Sequence, residues 1–366
     1  MKVMLSDKLG SRQNNFNFLR FMAATAVVFY HSHMLAVWSG VPIGQTKMSR
    51  IGGIAVSVFI IISGFLVTKS WLDAPAAASF LKKRFLRIFP ALACSVLMSV
   101  VIIGPLVTYA GTREYFTDPL TIDYLKNVFL FPIHYNLPGV FERNLYPGRV
   151  NDSLWTLPVE VLLYFCVLAL GLMGVLKKRL VTGLAAVVLL ALDILFGHSL
   201  EASQKIILTI PGAGLLQLSV FFFAGAFLYL ISPKVPLAPW LGFLSFLVFS
   251  ASFFIPEGRY LWYISLPYLV LFLAYRDVPV LKKFGGGGDP SYGIYVYSFP
   301  IQQGVVYLFK NRISFPMLFL VSYIIILAVS YLSWHMVEKQ VLKLKKAGLP
   351  GYDKIIPLFR KSAAQE

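Results

Sequence analysis

The chain has 366 residues, of which 58% are hydrophobic and only 13% charged; its formal net charge is +17 and its mean hydropathy is +0.73. Soluble domains carry about 45–50% apolar and about 25% charged residues. The composition therefore excludes a disordered chain, a secreted disulfide scaffold and a soluble two-domain enzyme, and it makes lipid the solvent for most of the surface.

Apolar runs of span length predict an all-α, polytopic integral membrane protein with about ten transmembrane helices. In chain order the runs cover 16–38, 51–72, 89–109, 154–176, 181–197, 206–231, 238–255, 260–275, 290–309 and 313–337. The fifth, seventh and eighth are short, as tilted or partly enclosed segments are. The first run is long, contains Arg20 and has no small-residue cleavage site behind it, so it reads as a retained span and not a signal peptide. Residues 1–340 form the transmembrane domain and 341–366 a basic tail. The longest stretch between runs, about 110–153, holds Pro119, Pro132, Pro138 and Pro147, and its piece 122–131 predicts a short interfacial helix. Ahead of the ninth run, Gly285–Gly288 lacks the Gly-Lys-Ser/Thr ending of a P-loop. With Asp289 and Pro290 following as cap and first-turn residue, it reads as a flexible lead-in, a phosphate cradle being the alternative.

Basic side chains orient the spans. With the N-terminus inside, 21 of the 33 Lys and Arg residues fall on cytoplasmic segments and 10 on the opposite ones, Arg20 and Lys69 lying within spans. That excess places both termini in the cytoplasm. The charge then reflects topology, and no nucleic-acid partner follows from it. Cys94 and Cys166 sit in separate apolar runs and offer neither a disulfide framework nor a metal spacing.

Ionisable groups inside spans cost several kcal/mol unless paired or solvated, and so mark function. Arg20 and His31 lie 11 residues apart on the first span, about three turns, on one face and roughly 16 Å apart along the axis. Snorkelling for Arg20 and an interhelical hydrogen bond for His31 are the structural alternatives. His33 points away from His31, which argues against a metal site on this helix. Glu160, about six residues inside the fourth run, sits at the depth inferred for His31 and is an acid–base partner for it, or else a protonated structural carboxyl. Lys82, Lys83, Arg84 and Arg87 form a cytoplasmic run; Arg84 and Arg87 share a face if helical, and with Arg20 they form either a phosphate-binding cluster or ordinary positive-inside charge. Asp193 is mid-span, a relay or a paired structural group. Tyr292, Tyr295, Tyr297, Gln302 and Gln303 open the ninth span and line a polar cavity or belong to the aromatic belt.

These stretches, taken together, resemble the acyltransferase-3 family, the integral membrane O-acyltransferases of bacterial surface polysaccharides. Arg20 to His31 matches its Arg-x10-His signature, and Gly52–Val67 its second-span segment ending in Ser-Gly-Phe-Leu. Arg84-Phe85-Leu86-Arg87 is similar to its Arg-x-x-Arg motif, and Asn151–Glu160 (NDSLWTLPVE) to its Ser-Leu-Trp-x-Leu-x-x-Glu segment. Ser291–Pro300 and Trp334–Lys339 are similar to its last two segments. The chain departs from many members in having Ser298 in place of His, Val161 after Glu160 in place of a second acid, and no SGNH hydrolase domain in this sequence.

The resemblance implies an inner-membrane protein of the bacterial envelope that moves an acyl group, acetyl first, from cytoplasmic acetyl-CoA to a saccharide hydroxyl, without a metal. It implies His31 and Glu160 as the catalytic pair and Arg20, Arg84 and Arg87 at the donor, with Lys83 and Ser63 beside them. Asn151, Ser153, Trp155, Tyr292 and Tyr295 fall to the acceptor. His31 then acts as a general base or as a covalent acyl carrier, and both remain open. Ser63 serves as a hydrogen-bond donor or as a small packing residue. Lipid-facing and partner-facing helix surfaces look alike in sequence, so a homo-oligomer is equally compatible. The rival class is a proton-coupled transporter or flippase for lipid-linked sugars, although no inverted repeat supports it.

Overall fold

The computed structural model describes residues 3–11, 13–37, 48–207, 209–255 and 257–344. All its long elements are helices: α1 (Phe16–Ala36), α2 (Ser49–Asp73), α3 (Ala77–Val107), α4 (Thr112–Thr117), α5 (Pro119–Leu125), α6 (Asp152–Leu172), α7 (Arg179–Ala202), α8 (Gly212–Leu230), α9 (Pro239–Ala251), α10 (Tyr260–Tyr275), α11 (Ser291–Leu308) and α12 (Phe315–Lys343). Two short strands, β1 (Ile206–Ile207) and β2 (Ile210–Pro211), pair antiparallel ahead of α8.

Each predicted apolar run coincides with a helix, and six of these (α2, α3, α6, α7, α8 and α12) are long and apolar enough to cross a membrane. α1 and α11 have 21 and 18 residues and carry the inward-facing polar groups, while α9 and α10 have 13 and 16. The fifth run is not short: α7 continues through the polar turn His198–Ala202, where hydropathy had faded. The third begins earlier than its apolar run, at Ala77, just after Pro75, so Lys82 to Arg87 are helical. The sixth begins later, because Ile206–Pro211 pairs as strands. The expected interfacial helix starts at Pro119, where Asp118 caps it by accepting from the Leu120 amide at 2.8 Å. The tail from 345 onward, the end of the first run at 38, and Arg12 and Lys47 lie outside the described residues.

α1 is the central element, packed against α2, α11 and α12, and α2 in turn packs on α8, α6 and α10. The α2–α8 crossing is a backbone contact. A Cβ on Gly64 would stand 2.0 Å from the Phe222 carbonyl oxygen, and one on Gly225 2.3 Å from that of Ile61. Without a hydrophobic drive between helices in lipid, small residues of this kind let helices associate by close van der Waals packing. The crossing presents Ser63, the neighbour of Gly64, toward α6. On α7, Leu180, Val187 and Leu195 are exposed, as lipid-facing side chains must be.

Candidate active site

A cavity of about 430 Å³ opens where the first turns of α1, the basic turns of α3, the middle of α2 and α6, and the lead-in to α11 converge. Arg20, Lys83, Arg84 and Arg87 line it, against the carboxylates of Glu160 and Asp289. Helix periodicity explains the grouping: Arg84 and Arg87 are one turn apart on α3, and both line this cavity. The Arg84 guanidinium lies between the Phe80 and Tyr164 rings, 5.8 and 5.6 Å from their centroids. Its Nε is buried without a hydrogen-bond partner among the described residues. Arg87 instead donates to Asp289 Oδ2 at 3.0 Å. Burial alone would raise the Asp289 carboxyl, but Arg87 and Arg20 outweigh it and hold it below its ordinary value, so it is ionised at neutral pH.

Pro290, and not Asp289, is the N-cap of α11; Asp289 precedes it and holds the first helical residue, its Oδ1 accepting from the Ser291 amide at 3.3 Å and from Ser291 Oγ. The glycine run before it forms a cavity wall and not merely a flexible lead-in. Gly285 has φ +85° and lies against Asn17, and Gly288 has φ +141° and lies against the Trp334 indole, where a Cβ would approach to 2.5 Å. Trp334 begins a π-turn, Trp334–Glu338, whose extra residue per turn redirects the end of α12 toward this loop and α3.

Glu160 and His31 are not brought together. Glu160 stands in the arginine cavity, accepting hydrogen bonds from Ser63 Oγ at 2.9 Å and from the Tyr164 hydroxyl. In the structure Glu160 shares its surroundings with Arg20, three turns from His31 on α1. His31 lies beyond the cavity, buried, in ring contact with Tyr30 at 5.3 Å and Phe299 at 5.1 Å. Its Nδ1 has no partner among the described residues. His33 turns the other way onto Phe315, 5.3 Å between centroids.

Around His31 the chain assembles groups that did not stand out in the sequence. Tyr146 packs on Phe299 and donates to Asp152 Oδ2 at 3.0 Å; Arg149 pairs with the other oxygen of Asp152 and covers the Tyr135 ring at 4.3 Å. Gln303 holds this loop by donating to the Tyr146 and Arg149 carbonyls. The expected acceptor residues serve mainly to join α6 to α11. Asn151 donates to the Val296 carbonyl at 2.9 Å, and the Tyr295 hydroxyl donates to the Ser153 carbonyl at 3.0 Å. Trp155 rests on Gly214 of α8. Tyr292 lines the arginine cavity and donates to the Ile88 carbonyl. Asp193 is a paired group, accepting from Tyr263 at 2.7 Å. Tyr164 has a signal in the sequence, because it lies four residues from Glu160 on the same helix face.

The family model for an acyltransferase domain, Acyl_transf_3, matches residues 13–335. An O-acetyl transferase of Shigella phage Sf6 is 29% identical over 347 residues, covering 90% of this chain and 96% of that protein. Nodulation protein 10 of Rhizobium leguminosarum bv. viciae is 32% identical over 169 residues, 43% of this chain and 44% of its own. Acyltransferase MdmB of Streptomyces mycarofaciens is 33% identical over 148 residues, 40% of this chain and 36% of its own. No solved structure matches. The matched region takes in α1 through most of α12, hence both the arginine cavity and His31, and the chain belongs to the acyltransferase-3 family.

Proposed function

We propose that the chain is a ten-span O-acyltransferase of the bacterial inner membrane, with both termini in the cytoplasm, moving an acetyl group from cytoplasmic acetyl-CoA to a hydroxyl of a surface or lipid-linked saccharide. One observation carries this reading. Arg20 of a cationic cavity and a buried histidine, whose Nδ1 has no partner among the described residues, sit on one helix, roughly three turns apart. Arg20, Lys83 and Arg84 hold the donor's phosphates, as guanidinium forks and ammonium charges do, with Arg87 at the edge. The pantetheine arm runs past Ser63, Glu160 and Tyr164 and along α1, bringing the thioester toward His31.

The acceptor hydroxyl reaches His31 from the opposite side, beside Tyr30, Tyr146 and Asp152. His31 takes its proton as a general base. The hydroxyl oxygen bonds to the thioester carbonyl carbon, the carbon–sulfur bond breaks, and the proton leaves with the CoA thiol. Glu160 then serves the donor and not the imidazole, since it is already bonded to Ser63 and Tyr164.

The test is thiol release. Purified protein in detergent, given acetyl-CoA and a mixed oligosaccharide acceptor, is expected to release free CoA in step with ester formed on the sugar. A protein that moves the saccharide across liposomes while leaving the thioester intact would be the transporter instead.

A further inference from the structure

The three arginines of the cavity are not equivalent. Arg84 has two aromatic faces and, among the described residues, no carboxylate. Arg87 is tied down: its Nη2 is 3.0 Å from Asp289 Oδ2, with the side chains 25% and 10% exposed. Glu338, buried and accepting from Ser333 Oγ at 3.1 Å, is a further carboxyl within electrostatic reach of Arg87. Asp289 is fixed from its other side by Ser291, so the ion pair anchors α3 to the start of α11. A guanidinium already neutralised and oriented in this way has little left to offer a phosphate. Removing it would expose an ionised carboxylate to the same cavity.

Resting on the donor reading above, we propose that Asp289 and Arg87 form a positioning pair. Arg87 neutralises Asp289 and makes the cavity wall, while Arg84 and Arg20 contact the donor's phosphates directly. The Arg-x-x-Arg pattern thus divides into one ligand and one structural cation, and Asp289 sets which is which.

Charge arithmetic separates this from two equivalent phosphate ligands. Affinity for CoA, and for inorganic pyrophosphate as a minimal anion, is measured by calorimetry on the detergent-purified full chain. Arg87→Gln leaves Asp289 unpaired and is expected to weaken both about tenfold or more. Adding Asp289→Asn removes that repulsion, and the double variant returns to within about threefold of wild type, a coupling of the size contacting charges show. Arg87→Lys keeps the ion pair and stays close to wild type, whereas Arg84→Lys loses the planar fork and does not. A double variant as weak as Arg87→Gln, or Arg87→Lys as damaging as Arg84→Lys, overturns the pair. Should Arg87→Gln fail to fold, the two lysine variants decide alone. Wild type that binds neither probe removes the donor reading, and this proposal with it; wild type that binds without rescue overturns the pair only.

Discussion

Replacing His31 with alanine is expected to lower acyl transfer by about 10²- to 10⁴-fold, the range a positioned general base contributes, while leaving donor affinity unchanged. The separation of effects follows from the geometry. His31 is not part of the cavity that holds Arg20, Lys83 and Arg84, and no carboxylate among the described residues bonds to it. Its loss removes a buried ring nitrogen, Nδ1, that has no partner among the described residues, and the packing against Phe299 and Tyr30 is trimmed without exposing charge. His31→Asn supplies a polar group of smaller size without a base and should be as inactive. Single-turnover transfer measured beside CoA calorimetry reads both quantities. A His31→Ala protein with full turnover would remove His31 from the chemistry, and one that loses CoA binding would mean the imidazole holds the donor.

Arg84→Ala is expected to act on the other half of the reaction, weakening acetyl-CoA binding by about 1.5–3 kcal/mol, roughly ten- to a hundredfold. Charge-assisted hydrogen bonds to phosphate are the stronger class, and Arg84 is poised for them. Two rings orient its plane and its Nε lacks a partner among the described residues. Because phosphates do not change during the chemical step, the loss should appear in KM, with kcat at saturating donor nearly kept. Steady-state kinetics over a range of acetyl-CoA concentrations separates the two. A fall in kcat with unchanged KM would place Arg84 at the reacting carbonyl instead.

What could be read from the sequence divides along physical lines. Apolar runs are local, so the helices were legible. Their ends were less so, because α7 keeps its hydrogen-bonded ladder through His198–Ala202 after hydropathy has fallen, and α3 starts about three turns before its apolar run. The arginine group was legible because Arg84 and Arg87 share a helix face and the family signature contains them with Arg20. The pairing of Glu160 with His31 was not, since it depended on the relative depth of two helices that only packing sets. Asp289 was visible as a polar residue at the start of a helix, but its ion pair with Arg87 joins residues 202 positions apart. Asp152 and Arg149 looked like ordinary loop charges until Gln303 drew their loop onto α11 beside Phe299.

In the proposed mechanism one donor molecule connects the arginine cavity to His31 along α1. The most direct measurement is an electron cryomicroscopy structure of the His31→Ala protein with acetyl-CoA bound. Phosphates are expected against Arg84 and Arg20, with the arm passing Glu160 and Tyr164 and the thioester carbonyl at the space left by the imidazole. A thioester that stops at Glu160, or phosphates lodged near Asp152 and Arg149, would contradict it.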